Sequence, residues 1–290
     1  AAESGTYPQR PIRVIAPSSA GGPNDVIARA VCAPLYEILG KQMVIDNRAG
    51  AAGVIGTEIV AKATPDGYTL LFGFSGPIVI APHLVKSIPY DSIADFTHIS
   101  LVAASPYVLI VHPALPVTSV KELVALAKSQ PGKINFSSGG TGTGIHMASE
   151  LLNHAAGIRM VHVPYKGAGP GMSALIGGEV SVMFNGLSAA LPHIQSRRVR
   201  ALAVGGEKRA ALLPDLPTVA ESGLNFNTAG WYNLSAPKGT SRAIVAKIYK
   251  DMKQALANPE VKARFDAMAV EPIGSTSEEF VALLKAELAT

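Results

Sequence analysis

The chain has 290 residues, enough for more than one hydrophobic core, and 48% of them are hydrophobic against 16% charged, which excludes a disordered or coiled-coil protein and fits a well-packed α/β protein in two lobes. The net charge of +4 gives a mild positive field that favours small anions. Basic residues are scattered, only Arg197, Arg198 and Arg200 cluster, and no aromatic-interleaved basic stripe exists, so nucleic acid is set aside as a partner.

In chain order, apolar runs and helical patterns alternate. Strands are predicted at residues 12–16, 43–46 and 69–73 and helices at 25–39 and 55–63, an alternation that points to a parallel sheet covered on both faces. Pro34 is expected to kink or shorten the first helix. Cys32, among Ile27, Val31 and Leu35, reads as a small core residue. The apolar stretch 99–111 is broken by Ser105 and Pro106 and is too short to span a bilayer. A second α/β series begins near Ile134: strands at 160–163, 180–184 and 201–204, and helices at 146–154 and 171–176. Strand 107–111 crosses between lobes and a segment at 231–236 returns, followed by helices at 243–256, 259–268 and 277–288. The expected division is residues 1–108 with 230–290 as one discontinuous lobe and 109–229 as the other, the ligand cleft lying between them. Two crossings make a hinge.

Two strand-to-helix passages carry the chemistry. Ser18, Ala20, Gly21, Gly22, Pro23, Asn24 and Asp25 follow the first strand, and Ser138, Gly139, Gly140, Thr141 and Gly142 follow Phe136 and Ser137. Small residues before a helix start leave backbone N–H groups free for an anion, and Asp25 can cap amide donors. The expected donors are the amides of Gly21, Gly22 and Asn24, with Ser138, Gly140, Thr141 and Gly142 closing from the other lobe. The second loop has neither the spacing of a dinucleotide fingerprint nor the lysine of a P-loop. Strand ends would place Ser75, Tyr165 and Asn185 around the same cleft. Trp231 either walls the cleft or plugs the core, and His146 either faces the cleft or packs. The seven histidines show no metal-ligand spacing, so no metal or cofactor is expected, and Ser75 lacks the last glycine of a nucleophile elbow.

Residues across nearly the whole chain match a known family. They include Pro17 with Gly21, Gly22, Pro23, Asn24 and Asp25; Asp46, Asn47 and Arg48 with Gly50, Ala51, Ala52 and Gly53; and Pro65 through Leu70. They continue with Ser138 through Gly142 and His146, Val163 through Gly167, and Leu213 through Thr218 with Glu221. The chain resembles the periplasmic solute-binding receptors of tripartite tricarboxylate transporters, the Bug proteins. That resemblance implies a type II periplasmic-binding fold, export with removal of a signal peptide (the first five residues look like a mature start), and no catalysis. It also implies capture of a small organic carboxylate on the loops holding Ser18–Asp25 and Ser138–Gly142, with ordered water helping, for delivery to an integral membrane permease. A dicarboxylate, an acidic amino acid and an aromatic acid all remain open as the ligand. Ala49 and Asn24 depart from residues frequent in the family, and Asn24 bears on ligand identity. Two alternatives stand beside transport: a sensor docking on a membrane signalling partner such as a sensor kinase, and an α/β enzyme dependent on Ser75 or His146.

Overall fold

The computed structural model describes residues 7–289; the expected mature start lies outside them. The elements in chain order are β1 Ile12–Ala16, α1 Pro23–Leu39, β2 Met43–Asn47, α2 Val54–Ala61, β3 Thr69–Phe74, α3 Ala81–Leu84 and β4 Phe96–Val111. There follow α4 Val120–Ser129, β5 Asn135–Ser138, α5 Gly144–Ala156, β6 Val161–Pro164, α6 Ala168–Ile176, β7 Val182–Gly186, α7 Leu187–Gln195 and β8 Arg200–Val204. The chain closes with β9 Ala229–Pro237, α8 Arg242–Ala257, α9 Pro259–Asp266, β10 Glu271–Pro272 and α10 Ser277–Leu288.

One sheet runs β2-β1-β3-β9-β4-β7-β5-β6, with β8 and β10 also on β4. It is mixed, not all parallel: β1 pairs β2 and β3 in parallel and β5 pairs β6 and β7 in parallel. Between these groups β9 and β4 run antiparallel to each other and to their neighbours β3 and β7. The difference comes from β4, which the sequence suggested only over 107–111. Its N-terminal part pairs β9 from Phe96 to Pro106, and its C-terminal part pairs β7 and β8 from Tyr107 onward. A single extended strand therefore belongs to both lobes. Val108, Leu109, Ile110 and Val111 are fully buried in one core, and Ile99, Val102 and Ala103 are buried in another. At about 1.5–3 kcal/mol for each large apolar side chain removed from water, this strand anchors both.

The first lobe packs α1, α8 and α9 on one face of its sheet and α2 and α10 on the other. The second lobe encloses its own core around Phe136, Phe184, Leu152 and Leu175. Pro34 neither ends nor shortens α1, which continues to Leu39. A proline removes one i to i−4 bond, and Val31, Cys32 and Leu35 bury that stretch against the core and hold it helical. Burial also pushes the Cys32 thiol up to about 12, consistent with a packing residue. Helices α4 and α7 were not read from the sequence. Among the described residues no helix is long and apolar enough to cross a membrane.

A closed cleft at three helix N-termini

Where the lobes meet, a cavity of about 60 Å³ is walled by both. Roughly 10–15 Å³ of such space holds one water, so the cavity has room for a small ligand. The first lobe contributes Pro17, Ser18, Gly22, Pro23 and Asn24, the turn at Ala49, Gly50, Ala52 and Gly53, and Phe74, Gly230, Trp231 and Tyr232. The second contributes Gly139, Thr143, Gly144, Ile145, Gly167 and Ala168, and Tyr107 sits at the crossing point. Of the residues expected from sequence, Ser18, Gly22, Pro23, Asn24 and Gly139 are on the wall.

The others lie behind or beside it, and their hydrogen bonds show why. In the first loop, Gly21 takes a left-handed φ of +75° and donates its N–H to Asp25 Oδ2 at 3.0 Å, while the Gly22 N–H goes to the Ser19 carbonyl at 3.3 Å. Asp25 is buried, and Arg29 Nε donates to its Oδ1 at 3.0 Å. Burial works to raise this carboxyl, but the hydrogen bonds from Arg29, Gly21 and Asn47 outweigh it and hold the group below the usual carboxylate range. Asp25 is thus a brace for the loop. Asn24 donates Nδ2 to the Phe72 carbonyl at 2.9 Å and accepts from the Ser18 hydroxyl at 3.0 Å, which fixes the loop to β3. Ala20 is exposed.

The second loop is tied in the same way. Ser138 is fully buried; its hydroxyl lies 2.6 Å from His162 Nε2 and accepts the Gly140 N–H at 3.1 Å. Gly142 donates its amide to His146 Nδ1 at 3.2 Å, and the two imidazoles lie with ring centroids 4.1 Å apart. His146 therefore packs behind the loop. Burial lowers its basicity and that of His162, the latter to about 4, so both are neutral bases able to accept these bonds at neutral pH. Thr141 is exposed. Asn185 is buried in β7 and accepts the Gly186 N–H with its own Oδ1 at 2.9 Å. Tyr165 reaches away to donate to Glu179 at 3.4 Å, and Lys166 is exposed. Ser75 is off the wall, hydrogen-bonded to the Tyr107 phenol.

What faces the cavity is the start of three helices. α1 is capped by Gly22 with Pro23 at its first position, α5 by Thr143, and α6 by Gly167 at φ +114°. The Thr143 hydroxyl accepts the His146 N–H at 3.4 Å, which satisfies one orphan amide of α5. By helix geometry the first-turn amides of Asn24, Gly144, Ile145 and Ala168 have no intrahelical acceptor, and all four residues line the cavity. Three N-terminal partial positive charges converge there. The sequence signal for the third is Gly167-Ala168-Gly169-Pro170, the same pattern of small residues before a helix. Trp231 both walls the cavity and packs: it meets Phe280 edge-on at 5.5 Å and donates Nε1 to Glu287 at 3.1 Å.

The lobes are in contact across the cleft. The Gly169 N–H donates to Ser19 Oγ at 3.3 Å. Cβ atoms placed on Gly22 and Gly186 would meet Ala168 Cβ at 3.4 Å and Pro23 Cβ at 2.6 Å across the seam. Among the described residues no group of three His, Cys, Asp or Glu side chains is placed to hold a metal ion.

The model of the tripartite tricarboxylate transporter family receptor matches residues 27–290. The chain belongs to that family. It is 38% identical over 276 residues to the protein BugT of Bordetella pertussis, covering 94% of this chain and 85% of BugT. The structure of the periplasmic binding protein BugD superimposes with a TM-score of 0.94 at 35% identity, covering 98% of this chain and 95% of that one. R. palustris Rpa4515, solved with adipate, gives 0.95 at 33% identity, again over 98% and 95%. The fold is accordingly the type II periplasmic-binding fold, two α/β lobes around a ligand cleft, and the family is one of solute-binding receptors.

Proposed function

We propose that this receptor captures a small organic carboxylate between its lobes in the periplasm and presents the closed form to the membrane permease subunits of a tripartite transporter. The observation that carries the reading is the convergence of Asn24, Gly144, Ile145 and Ala168, four first-turn amides from three helices, on one cavity between lobes already in contact. A carboxylate accepts several N–H bonds at once, and fixed amides bind it without a dedicated arginine. The adipate in Rpa4515 supports a carboxylate as the ligand class. Binding and closure suffice for this role, and no catalytic step is assigned. Release to a permease would reopen the seam, which the Gly169 to Ser19 hydrogen bond and glycine-cushioned van der Waals contacts help hold.

The test is a thermal-shift screen of the ligand-stripped chain against mono-, di- and aromatic carboxylates and acidic amino acids. A ligand at 100 times its Kd stabilises by about 2.7 kcal/mol, a clear rise in midpoint. If no acid moves the midpoint, carboxylate capture fails.

A further inference from the structure

We infer that the outer pole of the second lobe docks an extended acidic segment of a partner protein, which adds a strand to the free edge of β8. This place is remote from the ligand cleft. Helix α7 starts beside the seam, where a Cβ on Gly186 would meet Pro23, and runs away from it to Gln195. Strand β8 begins at Arg200, which pairs Val111 at the end of β4 far from the crossing at Tyr107. A groove of about 620 Å³ lies between the end of α7, the start of β8 and the loop 212–216.

The groove is mostly apolar, with Pro113, Ile194, Leu212, Leu213, Pro214 and Leu216 on its lining. Apolar surface with a few charged groups set in it is the make-up of a binding site. The backbone beside it is also open. β8 pairs β4 on one side, and on the other only Val204 is covered, by a parallel bridge to Thr218. Among the described residues no strand covers the outer edge from Arg200 to Ala203, and a row of main-chain groups at a sheet edge is a template for another strand.

Charge selects the occupant. Arg197 lines the groove and Arg198 follows it; both are exposed, and among the described residues neither forms an ion pair. Arg200 is committed to the Leu115 and Val117 carbonyls at 3.1 and 2.8 Å. Asp215 on the lining stabilises the charge of Arg209, which pairs with Glu221. A second copy of this chain on the edge would set Arg197 and Arg198 against their own kind, which like-charge repulsion opposes. A strand carrying Asp or Glu would pair them.

The test selects peptides from a displayed library of random linear dodecapeptides on the whole chain and titrates the enriched peptides by calorimetry. The expected peptides are rich in Asp and Glu and bind at least about tenfold more weakly to Arg197→Glu/Arg198→Glu and to Leu212→Asp. All three side chains are exposed, so these variants should keep the wild-type thermal midpoint. N-methylation of alternate peptide amides should abolish binding in one register and spare it in the other, the mark of strand pairing. No enrichment, enrichment of neutral or basic peptides, or binding unmoved by the variants and by N-methylation overturns the inference. Sedimentation with phosphatidylglycerol vesicles in place of any peptide assigns the arginines to a lipid surface and overturns it, as does dimerisation that the variants abolish. Groove and cleft share no lining residue, so a failed carboxylate screen leaves this inference standing.

Discussion

Replacing Gly169 by alanine separates ligand capture from folding. Gly169 is the second residue of α6 in an ordinary helical conformation, so alanine is compatible with its backbone and removes the entropy cost of glycine, worth up to about 1 kcal/mol in a helix. Across the cleft the situation reverses. A Cβ on this residue would stand 2.5 Å from the Ala20 carbonyl oxygen and 3.4 Å from Ser19 Oγ. The first contact is with backbone of the opposite lobe, so no rotamer change relieves it and the lobes must separate. Overpacking of this kind costs about 1–3 kcal/mol, and here the cost falls only on the closed form. At 1.4 kcal/mol per factor of ten, Kd for the best acid should rise about 5- to 150-fold, while the midpoint of the ligand-free variant stays equal or climbs. Titration calorimetry reads the first quantity and ligand-free thermal unfolding the second. Wild-type affinity in Gly169→Ala would mean that the bound form does not use this seam, and the closure argument would fail.

Other perturbations probe the same design. Ser19→Ala removes the hydrogen bond from Gly169 across the seam; a net loss of about 1 kcal/mol predicts roughly fivefold weaker binding with unchanged ligand-free stability, and unchanged affinity would show that this bond does not help hold the closed form. Asp25→Ala frees the Gly21 amide and Arg29 and should destabilise the chain by about 1–3 kcal/mol and weaken binding, whereas a purely peripheral Asp25 would change neither; chemical denaturation and titration decide. His98 gives a pH signature. Its Nδ1 lies 2.8 Å from Ser235 Oγ and its Nε2 3.0 Å from the Ser92 carbonyl, and burial lowers its pKa to about 4. The unfolded chain binds this proton near pH 6.5 and the folded one resists it, so stability is full above 6.5, declines as pH falls toward about 4, and levels below. The depression corresponds to about 3 kcal/mol, with half-exposed His162 acting in the same direction. His98→Phe should remove the His98 share of that slope and leave the share of the other desolvated histidines, and an unaltered slope in the variant would assign it elsewhere.

Much of the fold was legible because periodicity and punctuation agree in α10, which occupies residues 277–288 as predicted and is closed by the Thr276–Glu279 capping box. The elements that went unread owe their position to tertiary pairing. The first half of β4 carries Ser100, Ser105 and Pro106, which look like breaks in sequence, yet it is continuous because β9 pairs it along its length. The cavity wall was legible as two loops of small residues and not as particular amides. Composition announces that a loop can offer N–H groups, but Asp25, the Ser138 hydroxyl and His146 each consume one. Such side chains act across two to four positions in sequence, and whether they face inward is settled only by the folded turn. The consequence is that the second lobe lines the cavity with Gly139, Thr143, Gly144 and Ile145, while Ser138, Gly140, Thr141 and Gly142 lie off its wall.

That shift explains why the loops are rich in small residues in two senses at once. Glycines such as Gly140, at φ +120°, and Gly142, at φ +90°, allow the turn that lets Ser138 and His146 tie the loop from behind. Gly22 and Gly186 face the opposite lobe directly, where larger side chains would hold the cleft open. The internal ties leave few adjustable parts at the cavity, so its amides are fixed before a ligand arrives, and little ordering entropy is lost on binding. On the proposed function, a preorganised site held at a thin seam binds its carboxylate and still opens by rigid movement about β4 and β9. Discrimination then falls to the aromatic and aliphatic wall. For this reason Phe74, Trp231 and Ile145, and not the glycine loops, are the positions at which exchanging side chains should change which acid is preferred.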